Sequence, residues 1–191
     1  GFKSVVYHAG LNNDARRTVQ EDWIAGKYHV VVATIAFGMG IDKANVRFVI
    51  HHWMPKSIES YYQGVGRAGR DGEKAVCILY YSGNDFNRWK SLLDTTVKNQ
   101  MIKHVQIENI YEVQQFCVNR FECRRQQLLK YFGENFDDNE CARNTSTTCD
   151  NCLVKEDYRQ EDYTQTVKII LQGVTKLVGP YGAKARQENI S

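Results

Sequence analysis

The sequence lacks any apolar run that approaches the ~18 residues of a membrane span, and we expect no secretory signal. It also contains no internal repeat and no low-complexity tract. Of its 191 residues, 42% are hydrophobic and 25% are charged, which is typical of a globular protein of slightly more than one ordinary domain. These properties exclude a membrane-embedded, a collagen-like and a disordered chain.

Charge is unevenly distributed along the chain, although the net charge is only +3. Residues 1–72 carry nine Lys or Arg against six Asp or Glu, and residues 86–130 carry eight against four. Residues 134–163 reverse the sign, with three basic and nine acidic residues. The basic segments fit a polyanionic partner, but an ordinary solvated surface of mixed charge explains them equally well.

Strand and helix signals alternate in the first part of the chain. Four short apolar runs predict strands at Lys3–His8, His29–Thr34, Val46–His51 and Ala75–Tyr81. The second and third runs are rich in β-branched residues, which predicts strands buried on both faces. Because helical segments separate the runs, the fold class is α/β with a parallel sheet and flanking helices.

From Asp85 onward the pattern becomes helical. Apolar residues recur at near-helical spacing up to Cys117, and a second helix is predicted over Glu122–Phe132. An apolar stripe from Thr164 predicts a last helix. The boundary between two structural units is predicted near residues 82–86. Since the first predicted strand lies at the start of the sequence, we expect a fragment of a longer protein.

The six cysteines divide into two groups. Cys77 and Cys117 lie in apolar segments and are predicted to be buried thiols. The other four lie in a polar segment, at Cys123, Cys141, Cys149 and Cys152. Four thiolates that include one CxxC pair form the ligand set of a closed, structural zinc site, which leaves no position for a catalytic water. Free thiols in a reducing compartment are the alternative.

Two arginines stand three residues apart in the stretch YQGVGRAGRDG at 62–72, where a helix meets a glycine-rich turn. Guanidinium forks match phosphate oxygens, and small neighbours allow close approach of the backbone. Arg67 and Arg70 can therefore supply an arginine finger that neutralises charge on a γ-phosphate. A solvated basic turn is the alternative.

A second glycine-rich stretch, ATIAFGMGID at 33–42, follows a predicted strand. In parallel α/β sheets, ligands bind at the carboxyl ends of strands. The hydroxyl of Thr34, the backbone N–H groups of the glycines and the carboxylate of Asp42 suit a phosphate ligand. A glycine-rich turn capped by Asp explains the stretch equally well.

Taken together, the three patterns resemble the RecQ family of ATP-dependent DNA helicases, and its Bloom-type members most closely, over nearly the whole chain. Six segments carry the resemblance: YHAGL at 7–11, motif V at 32–51, motif VI at 55–72, ECRR to YFGE at 122–134, CDNC at 149–152 and a winged-helix start from 164. The combination is far more specific than any single motif.

The resemblance implies three parts of the fold. Residues 1–84 are implied to form a partial RecA-like P-loop NTPase lobe, and residues 85–158 a helical hairpin with a zinc-binding subdomain. Residues 159–191 are implied to begin a truncated winged-helix domain.

The resemblance also implies a function, that of a nuclear 3′–5′ DNA helicase in recombination and repair. Such an enzyme couples ATP hydrolysis to translocation on single-stranded DNA and to duplex unwinding. DNA, ATP with Mg²⁺, structural Zn²⁺ and possible repair-complex proteins are the implied ligands and partners.

Roles for single residues follow from the same resemblance. Arg70 corresponds to the arginine finger, and Arg67 to the group that couples nucleotide state to lobe closure. The residues implied to lie near the nucleotide are Gln63, Gly40 and Asp42. Those implied to contact DNA phosphates are Thr34, His8 and Lys56. The implied zinc ligands are Cys123, Cys141, Cys149 and Cys152.

The sequence departs from the family pattern in two ways. Gly64 and Val65 replace the glutamate and small residue that usually follow Gln63, which predicts a weaker orienting contact. No GxxxxGK[ST] loop and no DExH box occurs, so we expect the isolated chain to be inactive as a helicase. The alternatives are a non-catalytic, zinc-stabilised module that binds DNA or a partner, and a lobe of another superfamily-2 translocase that acts on RNA.

Overall fold

A computed structural model of the chain describes residues 1–34, 37, 42–154 and 161–187. The chain divides into two compact units, Gly1–Val154 and Lys155–Ser191. No helix in the described part combines the length and the apolarity that crossing a membrane requires. The division into residues 1–84, 85–158 and 159–191 stays a prediction.

Four strands and two helices occur up to residue 79, in the order strand, helix, strand, strand, helix, strand, and only helices follow in the described residues. The strands are β1 (Ser4–Tyr7), β2 (Val30–Ala33), β3 (Phe48–His51) and β4 (Val76–Leu79). The helices are α1 (Asn13–Ile24), α2 (Ile58–Val65), α3 (Asp85–Thr96), α4 (Gln100–Val118), α5 (Arg124–Tyr131), α6 (Asp138–Arg143), α7 (Asp150–Leu153) and α8 (Thr164–Gln187).

The strands form two parallel pairs, which confirms the α/β prediction. Strand β1 pairs with β2, from Ser4 opposite Val30 to Tyr7 opposite Ala33. Strand β3 pairs with β4, and His51 lies opposite Leu79. Because the strands of each pair run in the same direction, the residues that follow them meet at one edge.

The prediction that the second and third strands are buried on both faces is wrong. Val32 of β2 is 58% exposed and Ile50 of β3 is 50% exposed. Cys77 of β4 is exposed as well, whereas Cys117 is half-buried and burial raises its pKa to about 11. The physical reason is that each sheet pairs only two strands in the described residues, so too little structure covers its faces.

The hydrophobic core lies among α2, α3 and α4. Its buried members are Met54, Ile58, Tyr61, Leu93, Ile110, Val113 and Phe116. Burying each large apolar side chain contributes roughly 1.5–3 kcal/mol. One core therefore joins the residues around α2 to the helices that follow β4.

Candidate zinc centre and arginine turn

Four cysteines come together at three short helices, α5, α6 and α7. Cys123 and Cys149 directly precede α5 and α7, Cys141 lies in α6, and Cys152 lies in α7. Their Sγ atoms all lie within 4.8 Å of one another. Cys123 and Cys141 are buried, and the other two are half-buried. The predicted cluster is thus assembled from segments up to 29 residues apart in the chain.

The cluster fits a tetrahedral zinc ion. Zn–S bonds of about 2.3 Å place tetrahedral sulfurs roughly 3.8 Å apart, and the Sγ atoms of Cys123 and Cys149 lie 3.9 Å apart. The backbone N–H of Cys149 donates to Sγ of Cys141 at 3.4 Å, and Nη1 of Arg125 donates to the same sulfur at 2.8 Å. Such donors stabilise thiolates, so these residues form a structural Zn²⁺ site.

The pKa values of the thiols also favour a cation. Burial, followed by the neighbouring sulfurs, raises the pKa of Cys152, and burial raises the pKa of Cys123. Burial also opposes ionisation of Cys141, but the Cys149 N–H and the neighbouring thiols outweigh it and lower the pKa of Cys141. Crowded thiols hinder one another's ionisation, whereas a divalent cation between them stabilises four thiolates.

Two residues inside the CxxC pair attach the zinc centre to the helices around it. The carboxylate of Asp150 accepts hydrogen bonds from Nε and Nη2 of Arg124, each at 3.0 Å. The same arginine also donates a hydrogen bond to the carbonyl of Phe116. Nδ2 of Asn151 donates to the carbonyls of Asn119 and Glu122 at 2.9 and 2.8 Å. The metal-binding segment is therefore anchored to the turn between α4 and α5. Sequence reasoning quoted these residues only as parts of motifs.

The second site is the turn at residues 66–72, which we call the arginine turn. It follows α2, whose start is capped by Ser57, since Oγ of Ser57 accepts the N–H of Ser60 at 3.2 Å. Gly69 has a φ of 63°, and its N–H donates to the carbonyl of Val46 at 3.0 Å. A Cβ at position 69 would lie 2.8 Å from the carbonyl oxygen of Glu73. Both the dihedral angle and the contact require glycine.

An ion pair fastens the arginine turn to the segment before β3. Nη2 of Arg47 lies 2.6 and 2.5 Å from the two carboxylate oxygens of Asp71, and Nη1 of Arg47 donates to the carbonyl of Lys74 at 3.2 Å. The Arg47 guanidinium lowers the pKa of Asp71. The backbone that carries the two predicted arginines is thus held on both sides.

The two arginines lie in different surroundings. Nη1 of Arg70 lies 2.9 Å from Oδ1 of Asp42, so the structure brings together two predicted site residues. Arg67 is half-buried, and burial and then the charge of Arg70 lower its pKa. Gln63 is exposed in the last turn of α2. Gly40, the remaining nucleotide candidate, lies outside the described residues.

The predicted DNA-contacting residues lie at carboxyl ends of strands. Thr34 and His8 directly follow the paired strands β2 and β1, and the N–H of Thr34 donates to the carbonyl of Tyr7 at 3.2 Å. Nδ1 of His8 accepts the N–H of Gly10 at 3.1 Å. Lys56 is exposed between β3 and α2. The structure therefore brings Thr34 and His8 to one edge, and Lys56 follows a strand of the other pair.

Gly64, where the sequence departs from the family pattern, makes room for His51. A Cβ at position 64 would lie only 2.6 Å from Nε2 of His51. That nitrogen is buried and has no hydrogen-bond partner among the residues that the structure describes, and burial lowers the pKa of His51. The centroid of the His51 ring lies 5.3 Å from that of the Tyr61 ring. The space beside α2 is thus filled by the histidine ring.

A contact that sequence reasoning missed joins α2 to the helix after the first zinc ligand. Oη of Tyr131 donates to Oε1 of Glu59 at 2.6 Å, and the rings of Tyr62 and Phe132 lie 4.7 Å apart. This hydrogen bond raises the pKa of Tyr131 to about 12 and lowers that of Glu59. The helix that leads into the arginine turn therefore touches the zinc-binding region directly.

Parallel strand pairs, an arginine turn and a four-cysteine centre define a helicase C-terminal lobe joined to a zinc-binding region. The family described as the helicase conserved C-terminal domain matches residues 1–72, and the RecQ zinc-binding family matches residues 83–153. The chain belongs to the RecQ family of helicases.

Relatives support this assignment over most of the chain. The RecQ-like DNA helicase BLM of Xenopus laevis is 48% identical over 177 residues, which are 91% of this chain and 13% of the relative. The ATP-dependent helicase SGS1 of Saccharomyces cerevisiae is 39% identical over 93% of this chain and 12% of its own. The ATP-dependent DNA helicase Q1 of Pongo abelii is 40% identical over 90% of this chain and 25% of its own. The chain thus spans a quarter or less of each of these proteins.

Solved structures match the chain at low sequence identity and low TM-score. The C-terminal domain of the DEAD-box protein Dbp5 is 23% identical, with a TM-score of 0.40. The match covers 60% of this chain and 69% of that domain.

Proposed function

We propose that the chain is part of an ATP-dependent 3′–5′ DNA helicase that works in recombination and repair in the nucleus. Hydrolysis of ATP, bound with Mg²⁺, drives translocation on single-stranded DNA and duplex unwinding. The observation that carries the proposal is the arginine turn, whose backbone is anchored by Arg47 and Val46 while the guanidinium of Arg70 lies beside Asp42. The names of the relatives, which are DNA helicases, support it.

In this proposal Arg70 is the arginine finger. It pairs with Asp42 at 2.9 Å, and its side chain is 40% exposed, so a γ-phosphate can replace the carboxylate as its partner. Arg67 couples nucleotide state to lobe closure. Its guanidinium stays charged in spite of its partial burial, so it can respond to the charge of a bound phosphate. Gln63 and Gly40 complete the nucleotide-facing set.

Thr34, His8 and Lys56 contact the phosphates of the tracked strand in this proposal. Phosphate contacts carry no sequence information, which suits a motor that must grip every nucleotide equally. Repair-complex proteins and a winged helix that begins near residue 159 belong to the same proposal.

The test is Arg70→Ala in a protein that carries this chain together with its nucleotide-binding lobe. We expect DNA-stimulated ATP turnover to fall by about 10³–10⁵-fold, since an arginine finger contributes that much, while the Kd for single-stranded DNA stays within about twofold. Arg17→Ala is the matched control, because Arg17 is an exposed arginine that pairs only locally with Asp14 at 3.4 Å. Unchanged turnover in Arg70→Ala would contradict the proposal and favour a non-catalytic binding module.

A further inference from the structure

Two tryptophans stack on each other at the surface beyond β3. Trp53 follows the end of β3 by two residues and is 39% exposed. Its ring centroid lies 4.8 Å from that of Trp89 in α3, and the two planes are tilted by 33°. Aromatic rings at this distance attract each other beyond the effect of buried area, so Trp89 holds the exposed ring in place.

The support beneath the pair is rigid. Nε1 of Trp89 donates to the carbonyl of Met54 at 2.8 Å, and Met54 is fully buried. The buried carboxylate of Asp85 accepts the N–H of Met54 at 3.4 Å and that of Ser82 at 3.0 Å. The loop after β3 and the start of α3 are therefore locked together, and a ligand that binds there has little structure left to order.

The position and the charge of the pair favour an anionic ligand with flat rings. Carboxyl ends of strands are where open α/β sheets bind ligands. Exposed cations stand next to both tryptophans in sequence: Lys56 three residues after Trp53, and Lys90 directly after Trp89. The carboxylate of Asp85 is buried and faces Arg88 at 3.5 Å, which reduces its repulsion of an anion.

We propose that Trp53, backed by Trp89, is a stacking platform for the bases of single-stranded DNA. Single-stranded nucleic acid is bound where aromatic rings take the bases and neighbouring cations take the phosphates, with little preference for sequence. The platform rests on the proposed function and extends it, because it adds base contacts to the phosphate contacts of Thr34, His8 and Lys56.

The test compares a 15-nucleotide oligo-dT with an abasic strand of the same length, at one fixed salt concentration. We expect oligo-dT to quench tryptophan emission of the 191-residue chain and the abasic strand to leave it unchanged. Trp53→Ala should raise the Kd for oligo-dT by about 5- to 150-fold, since stacking contributes ~1–3 kcal/mol per base. The Kd for the abasic strand should not change.

Two further variants sharpen the comparison. Trp53→Phe keeps an aromatic face and should retain most of the affinity for oligo-dT. Trp23→Phe is the matched control, because Trp23 lies in α1 and its ring packs against that of Phe37, with centroids 5.3 Å apart. We expect it to reduce total emission and to leave both Kd values unchanged.

The outcomes separate the platform from the proposed function. If both strands bind equally and oligo-dT causes no quenching, the platform is overturned while the phosphate contacts stand. If neither strand binds, the platform and the proposed phosphate contacts are both overturned. If Trp53→Ala fails to fold, which its zinc content and circular dichroism would show, Trp53→Phe decides, because most of the quenching by oligo-dT should be lost with the Trp53 indole. An unchanged Kd for oligo-dT in a folded Trp53→Ala would overturn the platform and leave the exposed ring to a protein partner.

Discussion

The zinc centre and the arginine turn are held in opposite ways. At the zinc centre the functional atoms themselves are enclosed, since Cys123 and Cys141 are each 2% exposed and the N–H of Cys149 donates to the sulfur of Cys141. At the arginine turn the backbone is anchored, whereas the side chain of Arg70 reaches solvent beside Asp42. The comparison teaches that a structural site immobilises its ligands, while the proposed arginine finger, which would exchange partners, is carried on an immobilised frame.

The largest expected effect comes from removing a ligand of the zinc centre. Cys149→Ser removes one thiolate of four, and we expect loss of the zinc ion together with unfolding of residues ~120–154, because structural zinc supplies on the order of 10 kcal/mol of folding free energy. Zinc content and thermal unfolding measure the effect. Cys77→Ser is the control, since Cys77 lies outside the cluster. A Cys149→Ser protein that kept its zinc and its melting profile would disprove the four-cysteine assignment.

A smaller effect tests the frame of the arginine turn. Gly64→Ala places a Cβ against His51, and such overpacking costs about 1–3 kcal/mol. Since the higher helix propensity of alanine offsets ~1 kcal/mol of this cost, we expect a net destabilisation by about 1 kcal/mol. In a His51→Ala background the same change should stabilise, since alanine is ~1 kcal/mol better than glycine inside a helix. Urea unfolding of the four proteins gives the free energies. The same sign in both backgrounds would show that His51 does not occupy the space beside Gly64.

The smallest expected effect concerns the contact between the two regions. Tyr131→Phe removes the hydrogen bond to Glu59, and because the pair is exposed we expect a loss of only about 0.5 kcal/mol in the free energy of unfolding. Tyr163→Phe is the control, because Tyr163 bonds only to nearby Glu161. If Tyr131→Phe released zinc, the two regions would depend on each other far more than their separate anchoring suggests.

Local signals predicted much of this fold. The parallel pairs, the turn after α2 and the four-cysteine cluster all follow from short patterns whose chemistry is specific. The prediction that β2 and β3 are buried on both faces was wrong. An apolar run indicates which residues a strand can bury, but it does not reveal how many neighbouring strands and helices cover that strand. The contacts of Arg47 with Asp71 and of Tyr131 with Glu59 escaped prediction, since polar pairs 24 and 72 residues apart leave no pattern in a sequence.

The core shared by α2 and α4 imposes an order in time during synthesis. Ile58 and Tyr61 leave the ribosome roughly 50 residues before Ile110 and Val113, which cover them in the folded protein. At about 5–20 residues per second, this interval lasts several seconds. During it, the apolar face of α2 has no native partner from α4, so the newly made segment is at its most prone to aggregation. Helix α2, which leads into the arginine turn, is therefore fully packed only when α4 has been made.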